Sequence, residues 1–118
     1  MKKVFGVGYN DACYPVTKYD EEGKQIWMCP FYKTWRGILQ RCYDEKFKER
    51  WPHYKDVTMC SDWIVFSKFK MWMETQNWEN RALDKDFLVW GNKDYNPATC
   101  AFLPQEVNNF LTLRDNTC

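Results

Sequence analysis

Apolar positions change their period twice along this 118-residue chain. In the first stretch, Val4-Phe5-Gly6-Val7-Gly8-Tyr9 interleaves glycine with apolar side chains, the pattern of a strand that another backbone approaches closely. Asn10-Asp11 marks a turn, and Tyr14-Pro15-Val16-Thr17 resumes an extended run. The polar segment Tyr19 to Lys24, with Gly23 for an unusual φ, reads as a hairpin tip that returns through Gln25-Ile26-Trp27-Met28-Cys29. A small β-hairpin or three-stranded sheet is therefore expected over residues 1–29.

Pro30 punctuates a switch to helical spacing. Phe31, Trp35, Ile38, Leu39 and Cys42 fall on one face, while Lys33, Arg36, Gln40 and Arg41 fall on the other. Tyr43 to Val57 is charged and broken by Trp51-Pro52, which predicts a loop with about one helical turn. Thr58 follows in a short extended lead-in, with Ser61 placed to cap a second amphipathic helix, Asp62 to Met73. Val65, Phe66, Phe69, Trp72 and Met73 give that helix a wide apolar stripe, as expected of a core element. Gln76 to Arg81 reads as a polar link.

The period changes again over Leu83 to Leu113. Phe87-Leu88-Val89-Trp90 is a short apolar run closed by Gly91-Asn92, residues that tolerate turn geometry. A second extended piece, Thr99 to Leu103, follows Asn96-Pro97, where proline disfavours helix at Asn96. Pro104 suits a first helical position, Gln105 and Glu106 follow it, and Val107, Phe110 and Leu111 recur at helical spacing. The prediction is strand, polar loop, strand, helix over residues 82–113. The whole chain then forms one α+β domain: a β-hairpin region (1–29), a region of two amphipathic helices (30–81) and a C-terminal ββα unit (82–113).

Composition adds two points. Aromatic residues make up 19% of the chain, and large rings either fill a core or anchor a binding surface. The net charge of +1 argues against a dominant nucleic-acid footprint over the whole molecule. The distribution is less even. Residues 30–58 hold seven basic and four acidic side chains, a local excess of +3. Lys33, Arg36, Arg41, Lys46 and Lys48 are candidates for nucleic-acid or partner contacts, although a solvated helix face accounts for the same charges. Six cysteines are scattered without a Cys-x-x-Cys pair. With no signal core and no stretch long enough to span a bilayer, they are expected as reduced thiols in a cytoplasmic protein, mostly as small buried hydrophobes. Convergence of distant cysteines on a zinc ion stays open. His53, the one histidine, lies in the irregular segment and reads as a surface or hydrogen-bonded side chain rather than a catalyst.

The ordered set Trp35, Arg41-Cys42-Tyr43, Cys60-Ser61-Asp62-Trp63, Phe66 and Phe69, followed by Leu83-Asp84-Lys85-Asp86 and the Asn-bearing loop, resembles the phage HNH-type homing endonuclease-like proteins. The resemblance covers roughly Gly6 to Asn109. It implies a ββα unit holding one divalent metal, with Asp84 as the metal-binding acid and Asn108 or Asn109 as a second ligand from the last helix. Asn92 or Asn96 would orient the loop, and Asp86 would add a nearby carboxylate. Such oxygen ligands suit Mg²⁺. The chain departs from the family at the general base: Lys85 stands where the active enzymes carry histidine. Lysine is protonated at neutral pH and cannot take a proton from water, and loss of a general base costs on the order of 10² to 10⁴ in rate.

The resemblance therefore implies a phage-encoded protein of the infected host's cytoplasm, working as a catalytically inactive binding protein on a degenerate scaffold. Its cofactor would be none, or one Mg²⁺ if the site is functional. Its partner would be a host protein such as a defence nuclease, a phage protein, or DNA, and not a membrane. Many relatives continue into a DNA-reading module, whereas this sequence runs only to Cys118, so weak DNA affinity is expected. The alternative is an active metal-dependent nicking endonuclease with its base supplied by water or by His53. A structural accessory domain is the third reading.

Overall fold

The structure, a computed structural model, describes residues 3–85, 88–89 and 91–104. Pro30 opens helix α1 (Pro30–Tyr43), where its missing N–H costs no hydrogen bond. The helix buries Trp35, Ile38, Leu39 and Cys42 along one stripe. Against it packs α3 (Phe66–Glu74), which buries Phe66, Phe69 and Met73. Trp63 fills the seam between them: its carbonyl accepts the Trp35 indole N–H at 2.6 Å, and its ring meets Phe69 edge-on at 4.9 Å. Tyr95, Cys100 and Phe102 close the same core from the C-terminal side. Trp35, Trp63, Phe66 and Phe69 are fully buried, whereas Tyr19, Trp27 and Trp51 are exposed, so the rings serve both a core and a surface.

The remaining secondary structure is short, and the fold is α+β. Strands β1 (Thr17–Tyr19) and β2 (Gln25–Met28) form the antiparallel N-terminal hairpin, with Gly23 at φ +85° in its tip. Strand β3 (Thr58–Met59) pairs in parallel with β5 (Asp94–Tyr95), and β4 (Arg81–Asp84) pairs antiparallel with β6 (Ala101–Pro104). Helix α2 (Glu45–Arg50) and a single 3₁₀ turn at Pro52–Tyr54 occupy the charged segment. Asp44 caps α2 by accepting the Lys46 N–H, so the segment expected as a loop is more ordered than its charge pattern implied.

Three expectations are corrected. Val4 to Tyr9 is not a strand: Phe5 and Gly6 both adopt positive φ in a tight turn, leaving isolated bridges Val4 to Gly8 and Tyr9 to Val65. The close approach inferred from its glycines does occur, since a Cβ on Gly8 would meet Leu39 and lie 2.9 Å from Trp35.

The second helix does not run from Asp62. Ser61–Ile64 is a 3₁₀ turn, Val65 is extended, and α3 begins at Phe66. The cause is Tyr9, whose N–H donates to Ile64 O at 2.8 Å and whose carbonyl accepts the Phe66 N–H at 2.9 Å. The β-branched Val65 favours that extended bridge over helix. Ser61 makes no cap bond. Asp11 caps α3 instead, accepting from the Ser67 N–H at 2.8 Å and the Ser67 hydroxyl at 2.5 Å.

The first strand of the C-terminal unit lies earlier than the apolar run suggested. It is β4, in register Ala82 to Leu103 and Leu83 to Phe102, which matches apolar with apolar side chains. Leu88 and Val89 sit in a bend and are about half exposed (56% and 50%). Pro104 ends β6 opposite Arg81 rather than starting a helix. Phe87, Trp90 and the helix expected from Gln105 lie outside the described residues.

Candidate functional site

Asp84 is the last residue of β4, opposite Ala101, and Lys85 follows where the chain leaves the sheet. Both are half-buried. The Lys85 ammonium lies 5.9 Å from the centre of the buried Tyr95 ring, a cation–π placement. The polar loop that joins β4 to β6 is held by its own side chains. The Asn92 amide nitrogen donates to Lys85 O at 3.1 Å and to Asp94 O, and lies 3.2 Å from the Thr99 hydroxyl. Asn96 works from the other side: its carbonyl oxygen accepts the N–H groups of Ala98 (2.9 Å) and Thr99 (3.1 Å), and its amide donates to Asp94 Oδ2 at 2.6 Å. The other Asp94 oxygen accepts from the Thr58 hydroxyl at 2.7 Å, which ties the loop to β3.

Thiols lie beneath this loop. Burial pushes Cys42 up to about 12, although the cations Lys48, Arg41 and Lys85 oppose it. Burial likewise pushes Cys100 up to about 12, against a backbone hydrogen bond from Asn96 and with help from the Asp84 charge. Cys29 is buried too, and accepts or donates a bond with the Tyr14 hydroxyl at 3.1 Å, whereas Cys13 is exposed. Cys42 and Cys100 hold their protons at neutral pH and behave as core side chains. Among the described residues no three His, Cys, Asp or Glu side chains converge to hold a metal ion. Of the oxygen set that the resemblance assigns to a metal, Asp84 is described, and Asp86, Asn108 and Asn109 lie outside the described residues. The two oxygens of Asp94 are already committed to Thr58 and Asn96.

The five basic candidates do not form one patch. Arg36 lies over the Phe5 ring, 5.0 Å from its centre. Lys46 is exposed at the start of α2, and the Lys48 ammonium donates to Lys55 O at 3.1 Å. Lys33 and Arg41 stay together, because residues 30, 33, 34, 37 and 41 share one face of α1. That face forms one wall of a groove whose other wall includes Asn80, Arg81, Ala82 and Leu83. Arg81 went unnoticed in the sequence, because nothing in a polar link signals that a strand begins there. His53 is exposed and lies against Tyr54 in a tilted contact, ring centres 4.2 Å apart.

No protein-family model, no curated protein and no solved structure matches this chain.

Proposed function

We propose that this chain is a non-catalytic binding protein on a degenerate HNH-like scaffold, and that it acts by gripping a macromolecule, DNA or a host defence protein. The observation that carries the reading is the position of Lys85. It sits beside Asp84 at the end of β4, its backbone carbonyl held by Asn92 and its ammonium over Tyr95. The loop scaffold is hydrogen-bonded around a lysine at the position where the resembled family carries histidine. The one histidine lies apart from this loop, exposed beside the Tyr54 ring. A structure kept in order around a position without a base fits binding better than turnover.

The test is nicking of supercoiled plasmid by the wild-type protein and by Asp84→Ala, with Mg²⁺, with Mn²⁺ and with EDTA. Wild type is expected to give no more relaxed circle than Asp84→Ala under any of the three conditions. Metal-dependent nicking that Asp84→Ala abolishes would replace this reading with an active endonuclease.

A further inference from the structure

We propose that the groove between α1 and β4 binds the phosphate groups of an anionic ligand, through Lys33, Arg41 and Arg81. This deepens the binding reading by naming the ligand chemistry, and the groove itself is built from residues apart from the Asp84–Lys85 loop.

The groove's lining is one-sided in charge. Lys33, Arg41 and Arg81 line it together with Thr34, Asn80 and Trp78, and no acidic side chain does so among the described residues. Among the described residues none of the three cations has a side-chain hydrogen bond or an ion pair. Arg41 is half-buried, whereas Lys33 and Arg81 are exposed. A cation held partly away from water without an anion is poorly compensated, and a phosphate oxygen supplies what is missing. Lys85 adds to the field from the loop side, since it and Arg41 both act on the Cys42 thiol.

Gly37 explains how the groove stays open. It lies at the middle of α1, where glycine weakens a helix by about 1 kcal/mol relative to alanine. A Cβ there would touch nothing closer than the Arg41 guanidinium, at 3.7 Å. Arg41 therefore reaches back along the helix over the space that Gly37 leaves. Packing does not require the glycine, and its missing side chain leaves the groove floor low beneath the guanidinium. Trp78 contributes an aromatic wall, its ring edge-on to Phe31 at 4.9 Å. Cations beside an aromatic wall suit either a nucleic-acid strand or a free nucleotide.

The experiment is fluorescence anisotropy with a labelled single strand of about 12 nucleotides, within the range that one small binding domain covers, followed by competition with ATP. The variants are Gly37→Glu, the pair Arg41→Ala with Arg81→Ala, and Lys24→Glu as a control that changes charge in the exposed hairpin tip, outside the groove. Gly37→Glu keeps all three cations, raises helix propensity and pairs with Arg41 four residues on, so it fills the groove without unfolding the protein. Wild type is expected to bind the strand with a salt slope near −2, from about three contacts at roughly −0.7 each. Gly37→Glu and the double variant should each weaken binding about tenfold or more, and Lys24→Glu by less than about twofold. Displacement of the strand by ATP would assign the groove to a free nucleotide's phosphates, and resistance to ATP would assign it to a strand. Absence of strand binding would overturn the proposal. So would equal weakening by Lys24→Glu and Gly37→Glu. Neither result depends on nicking, so failure here and failure of the non-catalytic reading stay distinguishable.

Discussion

The Asn92 side-chain amide donates to the backbone carbonyl of Lys85, and this bond closes the loop between β4 and β6 at its base. The same nitrogen serves Asp94 O and lies within reach of the Thr99 hydroxyl. Two of its three partners are carbonyl oxygens, so the position needs a donor. Asn92→Ala should destabilise the protein by about 2 kcal/mol, the sum of two to three modest hydrogen bonds. Asn92→Asp should cost at least as much despite its matching shape, because it sets a carboxylate against those carbonyls. Urea denaturation of both variants checks this; an Asn92→Asp variant as stable as wild type would exclude the donor role.

Gly8 crosses α1 at a point with no room for a side chain. A Cβ there would meet Leu39 and lie 2.9 Å from the Trp35 ring, both buried completely. Gly8→Ala should cost about 1 to 3 kcal/mol through overpacking. Gly6 offers a comparison: a Cβ there meets nothing within 4 Å, and its cost would come from its positive φ alone. Thermal unfolding of Gly8→Ala, with Gly8→Ala/Leu39→Ala beside it, separates the two causes. Overpacking predicts that the second change costs less in the Gly8→Ala background than in wild type.

Asp11 caps α3 from 56 residues away. Partial burial pulls its carboxyl up, but the two Ser67 hydrogen bonds outweigh that and hold it below its ordinary value of 3.8. A depressed carboxyl contributes stability above its unfolded pKa and loses it as pH falls through the folded one. Asp11→Ala should therefore cost about 1 kcal/mol at pH 7, within the range of an N-cap. The difference from wild type should shrink as the pH is lowered below about 4, the ordinary aspartate range. A difference that persists unchanged at about pH 2.5 would mean that the carboxylate is not the source of the effect.

The buried thiols predict the opposite limb of the pH profile. Cys42 and Cys100 are raised from 9.0 to about 12 by burial. The native state keeps protons that the unfolded chain releases, so stability is intact below pH 9 and falls as pH rises from 9 toward 12. Each thiol contributes a slope of at most about 1.4 kcal/mol per pH unit. Tyr14 and Tyr95, also raised by burial, act in the same direction above pH 10. Denaturant melts at about pH 8 and about pH 10 measure the loss, and Cys42→Ala/Cys100→Ala should flatten it.

What the sequence made legible followed the strength of local signals. Helix α1 was readable to its first residue, because Pro30 and a continuous apolar stripe point the same way. The hairpin tip was readable from Asp20 to Gly23, where Asp20 accepts the Glu22 and Lys24 N–H groups and glycine takes a positive φ. Strand β4 was not, because its only apolar residues are Ala82 and Leu83, and its identity comes from pairing with Phe102 and Leu103. The break at Val65 was hidden for the same reason: a distant tyrosine backbone imposes it. The candidate site divides in the same way. Asn92 and Asn96 were visible as loop residues by their turn chemistry, and both take part in the loop's hydrogen bonds. The groove was not visible, because Arg81 joins Lys33 and Arg41 only through the packing of β4 beside α1.

The most direct measurement is nicking of supercoiled plasmid with Mn²⁺ by wild type and by Lys85→His. A histidine beside Asp84, on a loop already pinned by Asn92, has the chemistry of a general base that lysine lacks. The result expected is relaxed circle from Lys85→His and none from wild type. Relaxed circle from wild type that disappears in Asp84→Ala would contradict the non-catalytic reading outright.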